Sequence, residues 1–168
     1  MLQLYDSFAR IKKEFKPYNK SNVLLYVCGI TPNNATHLGH AFTYVMFDAL
    51  IRFLKHKNLG VIYVQNATDV NDGDDVIRQA KESDKTWTEI AQLWMTHFQI
   101  QMDALNVSRP DEYLLASDFI SKIISINEKL IEKGFAYEKK GNVYFDISKF
   151  EDYGALSKYG KEQMLMIS

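Results

Sequence analysis

The stretch YVCGITPNNATHLGHAFTYVMFD, from Tyr26 to Asp48, gathers most of the chain's reactive side chains. It holds the only cysteine, Cys28, two of the four histidines, His37 and His40, and two of the eight glycines, Gly29 and Gly39. A thiolate is a nucleophile and a zinc ligand. Two imidazoles three apart form one side of a metal site or cap a helix. Gly39 lets a nucleotide approach the backbone closely, and a helix N-terminus favours phosphate. A second polar group, Asn66, Thr68 and Asp69, follows in NATDV. Two readings stand for the cysteine: a small core residue inside an apolar run, or a ligand at its rim. The histidines are equally open between metal and cap.

The elements that position these residues are legible. NVLLYVCGI is a short, continuous apolar run bounded by turn formers, which predicts a buried parallel strand. TPNNATHLGH reads as a loop entering a helix. Tyr44, Phe47, Ile51 and Leu54 line one face of a helix over 40–56, with Gly60 as its terminator. A second strand follows over 61–65, so strand, helix and strand make a βαβ unit. Ligands of such sheets bind beyond the carboxyl ends of the strands. Cys28 falls at one such end, and Asn66, Thr68 and Asp69 at the next.

Helices are expected over 74–82 and 86–105, the second with a capping box from Thr86 and Glu89. EYLLA reads as a third short strand, and 117–133 as a helix ending at Gly134. FAYEKKGNVYFDI reads as a β-hairpin turning at Lys140, Gly141 and Asn142. KKEFK, Lys12 to Lys16, reads as a solvated face, and the last twenty residues are poorly patterned.

The chain has 168 residues, 46% hydrophobic and 24% charged, with a formal net charge of -1. That is an ordinary globular composition, without the strong basic excess of a dedicated nucleic-acid protein. One cysteine leaves no internal disulfide. The first residues lack the apolar core of a signal peptide, and no stretch approaches a membrane span. The expectation is a cytoplasmic α/β domain with no membrane partner.

CGIT followed by HLGH resembles the His-x-Gly-His nucleotide-binding signature of class I aminoacyl-tRNA synthetases. The preceding cysteine, NATDVND after the next strand, and FDISKFEDYGALSK resemble the cysteinyl-tRNA synthetases in particular. The cysteine–glucosaminylinositol ligases of mycothiol synthesis are similar too, and ATHLGHA and YGKEQML lean toward them. Either resemblance implies the first half of a Rossmann-like parallel sheet over 1–116. It also implies the start of a connective insertion, with a helix and β-hairpin, over 117–168.

It implies further that Cys28 ligates a zinc ion that binds the substrate thiolate. His37 and His40 match the signature histidines that stabilise the α-phosphate of ATP. Gly29, Thr31, Thr36, Gly39, Thr43, Asn66, Thr68 and Asp69 match positions around the aminoacyl group and nucleotide. The implied substrates are cysteine, ATP with Mg2+, and tRNA(Cys). The chain departs from the family where Tyr-Asp is replaced by Asn33-Asn34, and where DxDDK becomes Asp69-Val70-Asn71-Asp72-Gly73. The rest of the zinc ligands and the Lys-Met-Ser-Lys-Ser loop are not found. The reading is therefore an N-terminal synthetase segment inactive by itself. Its rivals are an aminosugar ligase and a non-catalytic nucleotide- or partner-binding remnant.

Overall fold

A computed structural model describes residues 2–18, 22–70, 75–160 and 163. The departures at Asn71 and Gly73 lie outside the described residues. The chain folds as two compact units, residues 17–120, and residues 1–16 together with 121–168.

The first unit is built on a three-stranded parallel sheet in the order β3 (Asn22–Ile30), β4 (Gly60–Ala67), β5 (Glu112–Leu115). The first connection is α1 (Leu38–His56); the second is α2 (Asp75–Ser83) followed by α3 (Trp87–Ala104). Two crossovers of one hand that step the same way along a sheet place their helices on one face. The core shows this. Val27 and Ile30 of β3, Tyr63 and Ala67 of β4, Tyr44 and Ile51 of α1, and Met95 and Phe98 of α3 form one buried cluster. The Tyr44 and Phe98 rings meet edge to face at 5.0 Å. On the other sheet face Leu24, Tyr26 and Ile62 are exposed.

The helix starts at Leu38, two residues before the expected 40, because His37 caps it. Gly60 is not its terminator, as the sequence had suggested. It is the first residue of β4, paired with Asn22. The chain turns instead at Asn58, whose φ is 59°, a conformation Asn tolerates because its short amide bonds locally. The Thr86–Glu89 capping box is present: the Glu89 N–H donates to Thr86 Oγ1 at 3.2 Å and the Thr86 N–H to Glu89 Oε2 at 2.7 Å.

In the second unit, β1 (Gln3–Asp6) pairs antiparallel with β2 (Ile11–Glu14), a hairpin not anticipated from sequence. Lys12 and Lys13 are solvated, as expected of that run, but they lie on a strand. The expected helix over 117–133 opens as a 3-10 turn, Ala116–Phe119, and becomes α4 (Ile120–Glu132). It ends at Gly134, whose φ is 76°. The Phe135 N–H closes the end by donating to the Leu130 carbonyl at 2.9 Å. β6 (Ala136–Lys139) and β7 (Asn142–Phe145) pair only with each other. Lys140 and Gly141 both have positive φ, as a tight two-residue hairpin turn requires.

Candidate active site at the strand ends

The site begins with an irregularity in β3. Val27 lies opposite Gln65 and Ile30 opposite Ala67, so Cys28 and Gly29 together face Asn66. Two residues against one is a β-bulge, a device that bends a strand and re-aims its side chains. Here it restores the inward phase: Val27 and Ile30 are both buried although three apart. Only glycine fits at the second bulge position. A Cβ on Gly29 would overlap the Asn66 carbonyl oxygen and lie 2.6 Å from its carbon.

Cys28 is exposed at the end of β3, the rim position and not the core one. Its carbonyl accepts a bond of 3.2 Å from the Tyr44 hydroxyl. Burial, reinforced by neighbouring Tyr63, pushes the Tyr44 phenol well above its usual range, so it stays a donor. The Gly29 N–H donates to Asn66 Oδ1 at 2.7 Å, and the Thr68 N–H to the Ile30 carbonyl at 2.9 Å. The structure thus joins Cys28, Gly29, Asn66 and Thr68 at two adjacent strand ends.

The loop that follows is pinned. The Asn33 N–H donates to the Thr31 carbonyl at 2.9 Å, and Pro32 is fully buried. Gln79 Nε2 donates to the Asn33 carbonyl, while Gln79 Oε1 accepts from Trp94 Nε1 at 3.0 Å. Asn34 Oδ1 accepts from the Ala35 N–H at 2.8 Å. Thr36 leads into the helix cap.

At the start of α1, the Gly39 N–H donates to His37 Nδ1 at 3.1 Å, and the His37 N–H to His40 Nδ1 at 3.3 Å. The rings stack with centroids 3.8 Å apart. A ring nitrogen that accepts a backbone N–H carries no proton, so each neutral imidazole holds its proton on Nε2. Burial, then the adjacent His37 charge, lowers the His40 pKa from its usual value. Both effects favour the neutral ring. Thr43 donates to the Gly39 carbonyl at 3.0 Å, one turn back along the helix.

Asp69 is placed differently from the others. It is buried, and it accepts from the Ser117 N–H at 3.0 Å and the Ser117 hydroxyl at 2.5 Å. Its carboxylate ties the end of β4 to the end of β5. A cavity of about 140 Å³ lies beside it, lined by Pro32, Ala91, Met95 and Leu115.

Cys28 is the one candidate sulfur ligand for the zinc ion that the resemblance implies. Among the described residues no three His, Cys, Asp or Glu side chains come close enough to share a metal. Protein zinc sites use three or four such ligands, so these residues do not by themselves fit one.

Tyr26 and Ser117 escaped the sequence reading. Tyr26 had a signal: it stands two residues before Cys28, hence on the same strand face. Ser117 had none, because only the folded sheet brings it to Asp69.

The parallel sheet with its crossover helices is a Rossmann-like α/β fold of the kind found in class I tRNA synthetases. Mycobacterium tuberculosis methionyl-tRNA synthetase in complex with methionyl-adenylate has this fold. It aligns with a TM-score of 0.61 and 23% identity, over 70% of this chain and 23% of that one. The family model "tRNA synthetases class I (C) catalytic domain" matches residues 14–168, and the chain belongs to that family. It is 43% identical over 164 residues to the cysteine–tRNA ligase of Methanococcus maripaludis strain C6, covering 98% of this chain. It is 41% identical over 164 residues to that of Thermococcus kodakarensis and 38% over 165 to that of Aliivibrio fischeri, with 98% of this chain covered in each. The chain spans 34–35% of the length of these three relatives.

Proposed function

We propose that these residues form the first half of an active site that activates cysteine with ATP and transfers it to tRNA(Cys). The observation that carries the reading is an exposed thiol at the end of β3, where Gly29 and Ile30 bond Asn66 and Thr68 at the end of the next parallel strand, followed by a helix opened by two capping imidazoles. Residues 117–168 begin the connective insertion. The relatives favour a tRNA acceptor over an aminosugar.

In the first step a carboxylate oxygen of cysteine attacks the α-phosphorus, and the bond to pyrophosphate breaks. His37 and His40, whose Nδ1 atoms each accept a backbone N–H, would offer it their Nε2–H donors. Such donors gain strength as charge develops on the phosphate. Gly29, Gly39 and Thr31 line the approach. Thr36, Thr43, Asn66, Thr68 and Asp69 hold the walls, Asp69 through Ser117. In a longer polypeptide that completes the ligand set, Cys28 would be one zinc ligand, and Mg2+ would accompany ATP. Zinc bound there would select a thiol over a hydroxyl. The setting is the cytoplasm; no described helix is long and apolar enough to cross a membrane.

The test is ATP–pyrophosphate exchange by a polypeptide of the relatives' length that carries this segment. Exchange with cysteine and none with serine is expected. Equal rates with both, or none with cysteine, overturn the reading.

A further inference from the structure

Asn66 Oδ1 has two donors. The Gly29 N–H stands 2.7 Å away and the Tyr26 hydroxyl 2.8 Å away. A backbone N–H can only donate, so the atom it meets is the amide oxygen, and the orientation of the carboxamide is settled. That oxygen accepts two hydrogen bonds at most, and both are used. Among the described residues the Nδ2 donors have one long contact, Thr68 Oγ1 at 3.5 Å.

Tyr26 itself is 60% exposed and lies on the open face of the sheet, the face of Cys28. It is not part of the buried core cluster. Its hydroxyl bends back across the sheet to a residue of the next strand. A tyrosine that supports no core but fixes one carboxamide has a positioning task.

We infer that Tyr26 is a positioning residue for the amino-acid subsite. With the bulge N–H of Gly29, it holds Asn66 with its oxygen inward and its Nδ2 donors free for an oxygen of the substrate. The acceptor is a carboxylate of the free amino acid or the carbonyl of its adenylate. This rests on the proposed function above.

Two measurements test it. On the 168-residue chain, Tyr26→Phe should speed hydrogen exchange of the Gly29 amide and shift the Asn66 side-chain amide signals in NMR spectra. The speeding expected from one lost hydrogen bond is up to about tenfold. On the longer enzyme, Tyr26→Phe should raise the KM for cysteine in pyrophosphate exchange by up to about tenfold. The KM for ATP and the melting temperature should hold. Asn66→Asp keeps both acceptor bonds and removes the donors. It should lower kcat/KM for cysteine further while Gly29 stays protected. Unchanged Gly29 exchange and Asn66 signals in Tyr26→Phe overturn the clamp. An active parent enzyme with an unchanged cysteine KM in Tyr26→Phe overturns the inference alone. A parent enzyme without cysteine-dependent exchange defeats the functional reading, and this inference with it.

Discussion

His37 and His40 each divide their two ring nitrogens between tasks. Nδ1 accepts a backbone N–H at the helix start, and Nε2–H is left to donate. Capping and catalysis are therefore compatible at one residue, and a substitution can separate them. Asparagine places an amide oxygen near Nδ1 but does not reach Nε2. His40→Asn in the longer enzyme is expected to melt near the parent temperature and to lose on the order of 100-fold in single-turnover pyrophosphate release. A matched rate with a lowered melting temperature would assign the ring to the cap alone. The same geometry sets a pH dependence. The folded pKa of His40 is depressed, so the unfolded chain binds its proton more readily. The stabilisation is then full above about 6.5, the unfolded imidazole value, and is lost as pH falls through the folded value. Melting temperature against pH should decline on that acid side. The decline should flatten in His40→Asn.

The bulge and the clasp at the strand ends are the elements that hold these residues in place. Gly29→Ala drives a Cβ into the Asn66 backbone, which cannot swing aside as a side-chain tip could. A loss of at least about 2 kcal/mol is expected in urea unfolding. A change within experimental scatter would show that the bulge relaxes freely. Ser117→Ala removes the hydroxyl bond to buried Asp69. Bonds to a charged group contribute about 1.5–3 kcal/mol, so a loss in that range is expected, read by the fluorescence of Trp94 and Trp87. Stability equal to the parent would mean that water replaces the hydroxyl. Much at this scale was legible beforehand. An apolar run with no alternation pointed to β3, and Thr86 with Glu89 marked the start of α3. The β1–β2 hairpin was not, because every residue of Ile11–Glu14 is exposed and leaves no buried face to alternate with. The bulge was hidden for another reason. It exists only as a register between two strands, and Asn66 is 37 residues from Gly29 in the chain.

For the molecule as a whole, the decisive quantity is how many zinc ligands these 168 residues can bring together. Cys28 is the single thiol, exposed at a strand end, and the described residues offer no cluster of three candidate ligands. Zinc affinity grows with each ligand held in tetrahedral reach, and structural sites close with four. One thiolate at a rim, with water in the other positions, exchanges its ion with any chelator. Ligand binding stabilises a fold in proportion to the logarithm of concentration over Kd. A weak site therefore leaves the melting temperature where it was. The expectation for the 168-residue chain is well under about one zinc per chain after dialysis against a chelator. Its melting point should be the same with and without micromolar zinc. Cysteine-dependent pyrophosphate exchange should not rise above a Cys28→Ala control. A stoichiometric ion that survives chelation, or exchange that depends on Cys28, would mean that ligands outside the described residues complete the site within this chain.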